Sequence, residues 1–227
     1  MPTTAKTMPS ALVSWSSGKD AAFALQEVRR SRTYDVVGLL TTLTADFRRV
    51  SMHGVREELL DSQARALELP LVKIWIPNPC PNEVYEQEMS RALERAKGAG
   101  VRHVIFGDLF LEDVRHYRET RLESIGMTGV FPLWGRETGA LAAEMIASGL
   151  RARVSSLDPR KLPRAFAGRE LDAAFLRSLP QGVDPCGERG EFHTFVTHSR
   201  EFREPVNVEL GEVVERDGFV FADLTPR

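Results

Sequence analysis

Hydrophobic runs and amphipathic stretches alternate along most of this chain. ALVSW (11–15) reads as a short buried strand. Residues 20–30 carry Ala22, Phe23, Leu25, Gln26 and Val28 at mixed helical spacing, which predicts a helix packed on a sheet. VVGLLTTL (36–43) is β-branched and almost continuously apolar, the texture of a strand covered on both faces. A helix follows over 55–69, with Val55, Leu59, Ala66 and Leu67 near one face and Pro70 closing it. LVKIWIP (71–77) predicts a third strand, and 83–98 an amphipathic helix closed by Gly98 and Gly100. VRHVIFGD (101–108) predicts a fourth strand that breaks at Gly107, and 111–126 another helix.

Strand–helix alternation of this kind specifies an α/β fold: an open, mostly parallel sheet with flanking helices and right-handed crossovers. Ligands on such sheets sit beyond the carboxyl ends of the strands. The loops to watch are therefore SSGKD, TTLTADFRRVSMHG, PNPCPNE and GDLFLED. The texture changes between about 132 and 140. A helix in PLWGRETGALAAEMIASGL, a strand in RARVSSL, a short helix in ELDAAFLRSL and a hairpin with RDG turn chemistry in the tail read as a smaller α+β part. The expected division is 1–135 and 136–227.

Composition narrows the function. The chain has 227 residues and a net charge of −2, so no global basic field points to nucleic acid, and a polyanion must be held by local groups. Two cysteines without a CxxC argue against a disulfide framework or zinc finger and fit a reducing cytoplasm. MPTTAKTMPS lacks the apolar core of a signal peptide, and no apolar run is long enough to span a membrane.

SSGKD, just past the first strand, is the leading candidate for chemistry. It is not a Walker loop: the position five before Gly18 is Val13, and Asp20 stands where that motif has a hydroxyl. A strand–turn–helix with small residues still lets backbone N–H groups approach a phosphate, with a helix N-terminus behind them. Ser14, Ser16 and Ser17 offer hydroxyls, Gly18 removes a side chain and Lys19 supplies a cation. Asp20 reads as a helix-cap acceptor or as a carboxylate facing Mg²⁺. On residues alone, a plain Ser/Asp N-cap with an exposed lysine explains the pattern as well.

Other clusters are read the same way. Asp184, Glu188 and Glu191 crowd eight residues, with His193 following. A Gly-rich acidic turn can bind Mg²⁺, hold a cationic substrate or deprotonate ammonium; it can also be a solvated loop. Asp108 is placed to cap the helix after the fourth strand, and Arg115 and Arg118 to reach a triphosphate; an ordinary helical ion-pair face is the alternative. Trp15, Trp75 and Trp134 read as core. Cys80, Cys186 and His193 have no metal-ligand spacing.

SSGKD after a first strand resembles the pyrophosphate loop, usually SGGKDS, of the N-type ATP pyrophosphatases in the adenine nucleotide α-hydrolase superfamily, which has a HUP/Rossmann-like fold. Ser17 replaces the second glycine and Ala21 the last serine. The glycine replacement costs little unless the loop needs a positive φ there. GVDPCGERGEFHTFV, FGDLFLEDVRHYRE and FPLWGRET are together similar to the diphthine–ammonia ligase family, a likeness running from about residue 11 to 223. The resemblance implies an ATP-dependent ligase that adenylates a carboxylate, releases pyrophosphate, and amidates with ammonia. It implies ATP and Mg²⁺ held by Ser14, Ser16, Ser17, Gly18, Lys19, Asp20, His53, Gly107, Asp108 and Arg115. It implies an acceptor and ammonium met by Asp184, Cys186, Gly187, Glu188, Gly190, Glu191 and His193, with Lys19, Asp20, Glu188 and Glu191 catalytic. Adenylation already activates the carbonyl, so Cys186 is read as a structural or substrate contact rather than a nucleophile. The acceptor implied is diphthine, or a carboxylate of cobalamin salvage among bacterial relatives; a homodimer is compatible with either. The rivals are a non-catalytic ATP or AMP sensor, and RNA thiolation or lysidine formation.

Overall fold

A computed structural model describes residues 8–227. Most of MPTTAKTMPS, the stretch expected to lack a signal peptide, lies outside the described residues.

β1 (Ser10–Ser14) carries three buried residues between half-buried ends and pairs in parallel with β2 (Asp35–Thr44) on one side and β5 (His103–Ile105) on the other. β4 (Leu71–Ile76) adds to the far side of β2, and β6 (Thr128–Val130) to the far side of β5, both parallel. The parallel order is therefore β4-β2-β1-β5-β6. The chain winds outward from β1 through β2 to β4, then returns to start again at β5. That places the switch point between the carboxyl ends of β1 and β5. β2 outruns β1, whose last residue pairs with Leu40, and its free end takes up β3 (Arg49–Val50) antiparallel.

Alternating side chains split the core across the sheet, as the two-residue period requires. Ala11, Val13, Leu39 and Leu43 join one buried cluster with α1 (Lys19–Ser31) and α2 (Glu57–Leu67). Leu12, Leu40, Ile74 and Val104 join a second with α3 (Asn82–Gly98) and α4 (Glu112–Ser124), through Leu93 and Leu122. Both faces of the sheet's centre are covered, which is why the middle of β1 and β2 is nearly continuous in apolar residues, while β4 at the edge carries Lys73 and leaves Val72 and Trp75 exposed. Among the described residues no helix is long and apolar enough to cross a membrane.

After α5 (Thr138–Ala147), capped by the Glu137 carboxylate, the chain builds a second sheet. β7 (Arg151–Leu157) leads through a short α6 (Ala173–Ser178) to β8 (Phe192–His198), β9 (Val208–Arg216) and β10 (Phe219–Pro226). The sheet is antiparallel in the order β8-β7-β10-β9. Asp217 and Gly218, both at positive φ, make the expected hairpin turn between β9 and β10. Phe192, Phe195, Val220 and Leu224 belong to the same buried cluster as α1 and α2, so this sheet packs on that face. Arg49 and Arg56 both bond the Asp223 carboxylate and fasten β10 to the start of α2.

Three readings are corrected. The fourth strand shrinks to His103–Ile105; the Phe106 N–H still donates to the Val130 carbonyl at 2.9 Å, and the chain leaves the sheet at Gly107. β3, β6 and β8 were not anticipated, the first two being only two and three residues long. Trp75 is not core: it is 37% exposed, with the Arg48 guanidinium 5.5 Å above its ring.

Candidate functional site

SSGKD closes the top of β1 and opens α1. Gly18 is the N-cap with an extended backbone and, as a glycine, brings no capping side chain of its own. Asp20 lies inside the first turn, so it is not the cap acceptor expected. Ser17 has φ of 69°, the left-handed region. It is fully buried and its Oγ finds no partner among the described residues. The position therefore does need a positive φ, the condition under which serine is costly there.

Lys19 is not the exposed cation expected of a plain capped helix. It is 2% exposed, and its Nζ donates to both Asp20 oxygens (3.0 and 2.8 Å) and to the Cys186 carbonyl. Burial opposes charging this ammonium, but the Asp20 carboxylate and the other acidic groups outweigh it and hold the pKa above its ordinary value. Lys19 thus joins the phosphate-type loop to the acidic motif, two segments 167 residues apart. Gly107 makes a third junction. A Cβ there would lie 2.7 Å from the Asp20 carbonyl carbon and 2.8 Å from the Ala21 nitrogen, so only glycine lets the turn after β5 touch the start of α1.

The acidic motif folds on itself before entering β8. Asp184 accepts from the Cys186 N–H at 2.6 Å, and its own N–H donates to Glu191 Oε1 at 3.2 Å. Glu191 is 3% exposed and its Oε2 has no partner among the described residues. Gly187 and Gly190 take positive φ; a Cβ on Gly187 would meet the Phe192 carbonyl at 2.7 Å. Glu188 reaches across and accepts the Leu109 N–H at 2.8 Å, tying the motif to the loop after β5. Burial pushes the Glu188 carboxyl up to about 7; the Leu109 N–H pulls it down, while Asp20 and Asp108 add to the rise. Burial likewise raises the Cys186 thiol to about 12, so it stands as a thiol, not a thiolate nucleophile. Its Sγ donates to the Thr138 carbonyl.

Beside this junction, over the carboxyl ends of β1, β2, β4 and β5, lies a cavity of about 560 Å³. Ser14, Ser16, His53 and His193 line it, as do Thr41, Tyr85, Phe106 and Arg118. The volume and the mostly apolar lining suit a ligand of nucleoside size. His53 and His193 pack ring on ring at 4.3 Å. Burial holds His193 down at about 4, and lowers His53 well below its ordinary value. Both are neutral near pH 7.

Of the residues expected at the site, Ser14, Ser16, His53 and His193 line this cavity, Lys19, Asp20, Gly107 and the acidic motif meet beside it without lining it, and Arg115 turns to other partners. Its Nε bonds Glu119 at 2.8 Å and its guanidinium sits over the Phe131 and Trp134 rings. Arg118 lines the cavity instead and pairs with Asp108 at 2.9 Å, which therefore does not cap α4; Leu111 takes the cap position. Thr41, Tyr85 and Phe106 were missed. Thr41 carried a signal, since TT interrupts an otherwise apolar strand at its carboxyl end, and its hydroxyl donates to the Trp15 carbonyl at 2.7 Å.

Over residues 9–129, more than half its length, the chain matches the family model described as the diphthamide synthase N-terminal domain. The chain belongs to that family. Among its relatives is a diphthine–ammonia ligase of Danio rerio, 33% identical over 120 residues that are 48% of this chain and 46% of the relative. The Bos taurus diphthine–ammonia ligase is 26% identical over 185 residues, 75% of this chain and 69% of the relative. That of Schizosaccharomyces pombe is 25% identical over 223 residues, 88% of this chain and 36% of the relative. The match to the Danio rerio protein thus spans about half that relative's length. Within the diphthamide synthase match lie the SSGKD loop and Gly107–Asp108; the acidic motif follows it.

Among the described residues no group of three or more His, Cys, Asp and Glu side chains is arranged to hold a metal ion. A preformed magnesium cage is therefore not what these residues provide. Asp20, 28% exposed beside the cavity's serines, fits the lesser role of one carboxylate toward Mg²⁺ carried on a nucleotide's phosphates.

Proposed function

We propose that this chain is an ATP-dependent amide-forming ligase. The supporting observation is the Lys19 bridge, which brings a phosphate-type loop and a carboxylate-rich motif together beside one cavity at the β1–β5 switch point. The nucleoside occupies the cavity, and the pyrophosphate part of ATP lies on Ser16–Asp20 at the N-terminus of α1. Mg²⁺ carried on the phosphates, faced by the Asp20 carboxylate, would neutralise part of their charge. An acceptor carboxylate attacks the α phosphorus, the α–β bond breaks, and pyrophosphate leaves. Ammonia then attacks the acyl carbon, an amide forms, and AMP leaves.

The Lys19 ammonium and the N-terminal dipole of α1 meet the charge developing on pyrophosphate, an electrostatic role. Glu188 takes the proton that ammonium must lose. A carboxyl titrating near 7 is suited to that exchange, and the Leu109 N–H holds it in place. Glu191 and Asp184 shape the turn that presents Glu188. Cys186 serves through its carbonyl and not its sulfur. The relatives are named for diphthine and ammonia, and a diphthine-type carboxylate is the acceptor we assign. A nucleotide sensor would leave the costly burial of Glu188 and Glu191 without a purpose. The test is ATP consumption with Mg²⁺, ammonium and candidate carboxylates. AMP with pyrophosphate, stimulated by one acceptor, is expected. ADP with phosphate would reject the assignment.

A further inference from the structure

β8 leaves the acidic motif and runs directly past the phosphate-type loop, bonding it at two peptide groups. The Val196 N–H donates to the Ser17 carbonyl at 2.9 Å. The Lys19 N–H, the first of α1, donates to Thr194 Oγ1 at 3.1 Å. Gln63 supplies a third anchor from α2. It is fully buried, and its Nε2 donates to the Ser17 carbonyl (3.1 Å) and to the Val196 carbonyl (2.7 Å). Its Oε1 accepts the Trp15 Nε1–H at 2.9 Å. One side-chain amide thus joins the end of β1, the loop and β8.

These bonds bear on shape more than on packing. A buried amide is costly unless it is bonded, and an apolar side chain would fill the same space. Serine does not hold a left-handed backbone unaided, and such a conformation persists where its surroundings over-determine it. Here the Ser17 carbonyl receives two donors, and the amide two residues later is fixed by a hydroxyl. Gly18 completes the fit, since a Cβ there would lie 3.2 Å from the Thr194 carbonyl.

We propose that Gln63 and Thr194 are positioning residues that set the Ser16–Asp20 backbone in its phosphate-binding form. Affinity for the pyrophosphate part of ATP depends on them, and affinity for the adenosine part does not. The phosphate loop is then a product of both sheets, although its sequence lies wholly in the first. The inference rests on the reading of SSGKD as a pyrophosphate cradle.

The test is titration calorimetry of the full chain with ATP, AMP and inorganic pyrophosphate, comparing Thr194→Val, Thr194→Ser and Gln63→Leu. Thr194→Val should weaken ATP and pyrophosphate by about 3–10-fold, the worth of one hydrogen bond, and leave AMP unchanged. Thr194→Ser should restore both. Gln63→Leu should lose more, since it removes three bonds. If Gln63→Leu does not fold, the near-isosteric Thr194 pair decides. Equal losses for ATP and AMP, unchanged affinity for all three, or a serine variant as weak as valine would overturn the proposal. A native chain that binds ATP no tighter than AMP and ignores pyrophosphate removes the cradle reading itself, whatever the variants do.

Discussion

Replacing Ser17 with glycine should stabilise this protein, although it removes a buried side chain. Ser17 sits at φ 69° with no solvent exposure and, among the described residues, no partner for its hydroxyl. A left-handed backbone costs a residue with a Cβ about 1–2 kcal/mol. A buried hydroxyl without a hydrogen bond costs about 1–3 kcal/mol more. Glycine removes both. Against this, its greater freedom in the unfolded chain costs roughly 0.5–1 kcal/mol. The space vacated by one Cβ and one Oγ costs about 1 kcal/mol. The balance favours Ser17→Gly by about 1 kcal/mol, which for a chain of this size is a rise in Tm of about 2–4 °C. Differential scanning calorimetry or a thermal melt at pH 7 reads it directly. An equal fall in Tm would refute the reasoning: it would mean that the hydroxyl's packing outweighs the strain.

Lys19→Ala should cut turnover by about 10²–10³-fold while the circular dichroism spectrum keeps its native shape, the loss expected for one electrostatic donor at the leaving group. Glu188 titrates at about 7 in the folded chain, above its unfolded value, so its stabilising contribution is full below about 4.3 and is lost as pH rises through about 7. Urea melts of Glu188→Gln should therefore lose less stability than the native chain across that window. Native turnover should rise through pH 7 as Glu188 ionises, and that rise should flatten in the variant. Iodoacetamide at pH 8 should label Cys80 and spare the buried Cys186, giving one modification by mass spectrometry; rapid double labelling would contradict the raised thiol pKa.

Local chemistry made much of this structure legible. Apolar runs in 36–43 and 71–77 reported strands, and their alternation with helices fixed the parallel sheet and its ligand edge. SSGKD was visible as a loop, and the glycine replaced by Ser17 was visible as a departure. The φ that makes the departure costly was not, because β8 and Gln63 impose it from 46 residues away and more. Lys19 shows the same limit. A lysine at a helix start reads as solvated, and only the Asp20 carboxylate and the Cys186 carbonyl explain its burial. Arg115 and Arg118 could not be told apart because α4 is polar nearly all round and buries only Leu122. Phe131 and Trp134 claim the first and Asp108 the second. Trp75 was misplaced because β4 is an edge strand, where alternate residues face water.

The most direct measurement is product analysis of ATP turnover by the purified chain, with Mg²⁺, ammonium and a diphthine-type carboxylate, separating the adenine nucleotides and quantifying pyrophosphate and phosphate. The account predicts AMP and pyrophosphate in equal amounts, one amide formed per AMP, and no turnover when ammonium and acceptor are both withheld. ADP with phosphate, or AMP formed without any amide, would contradict it.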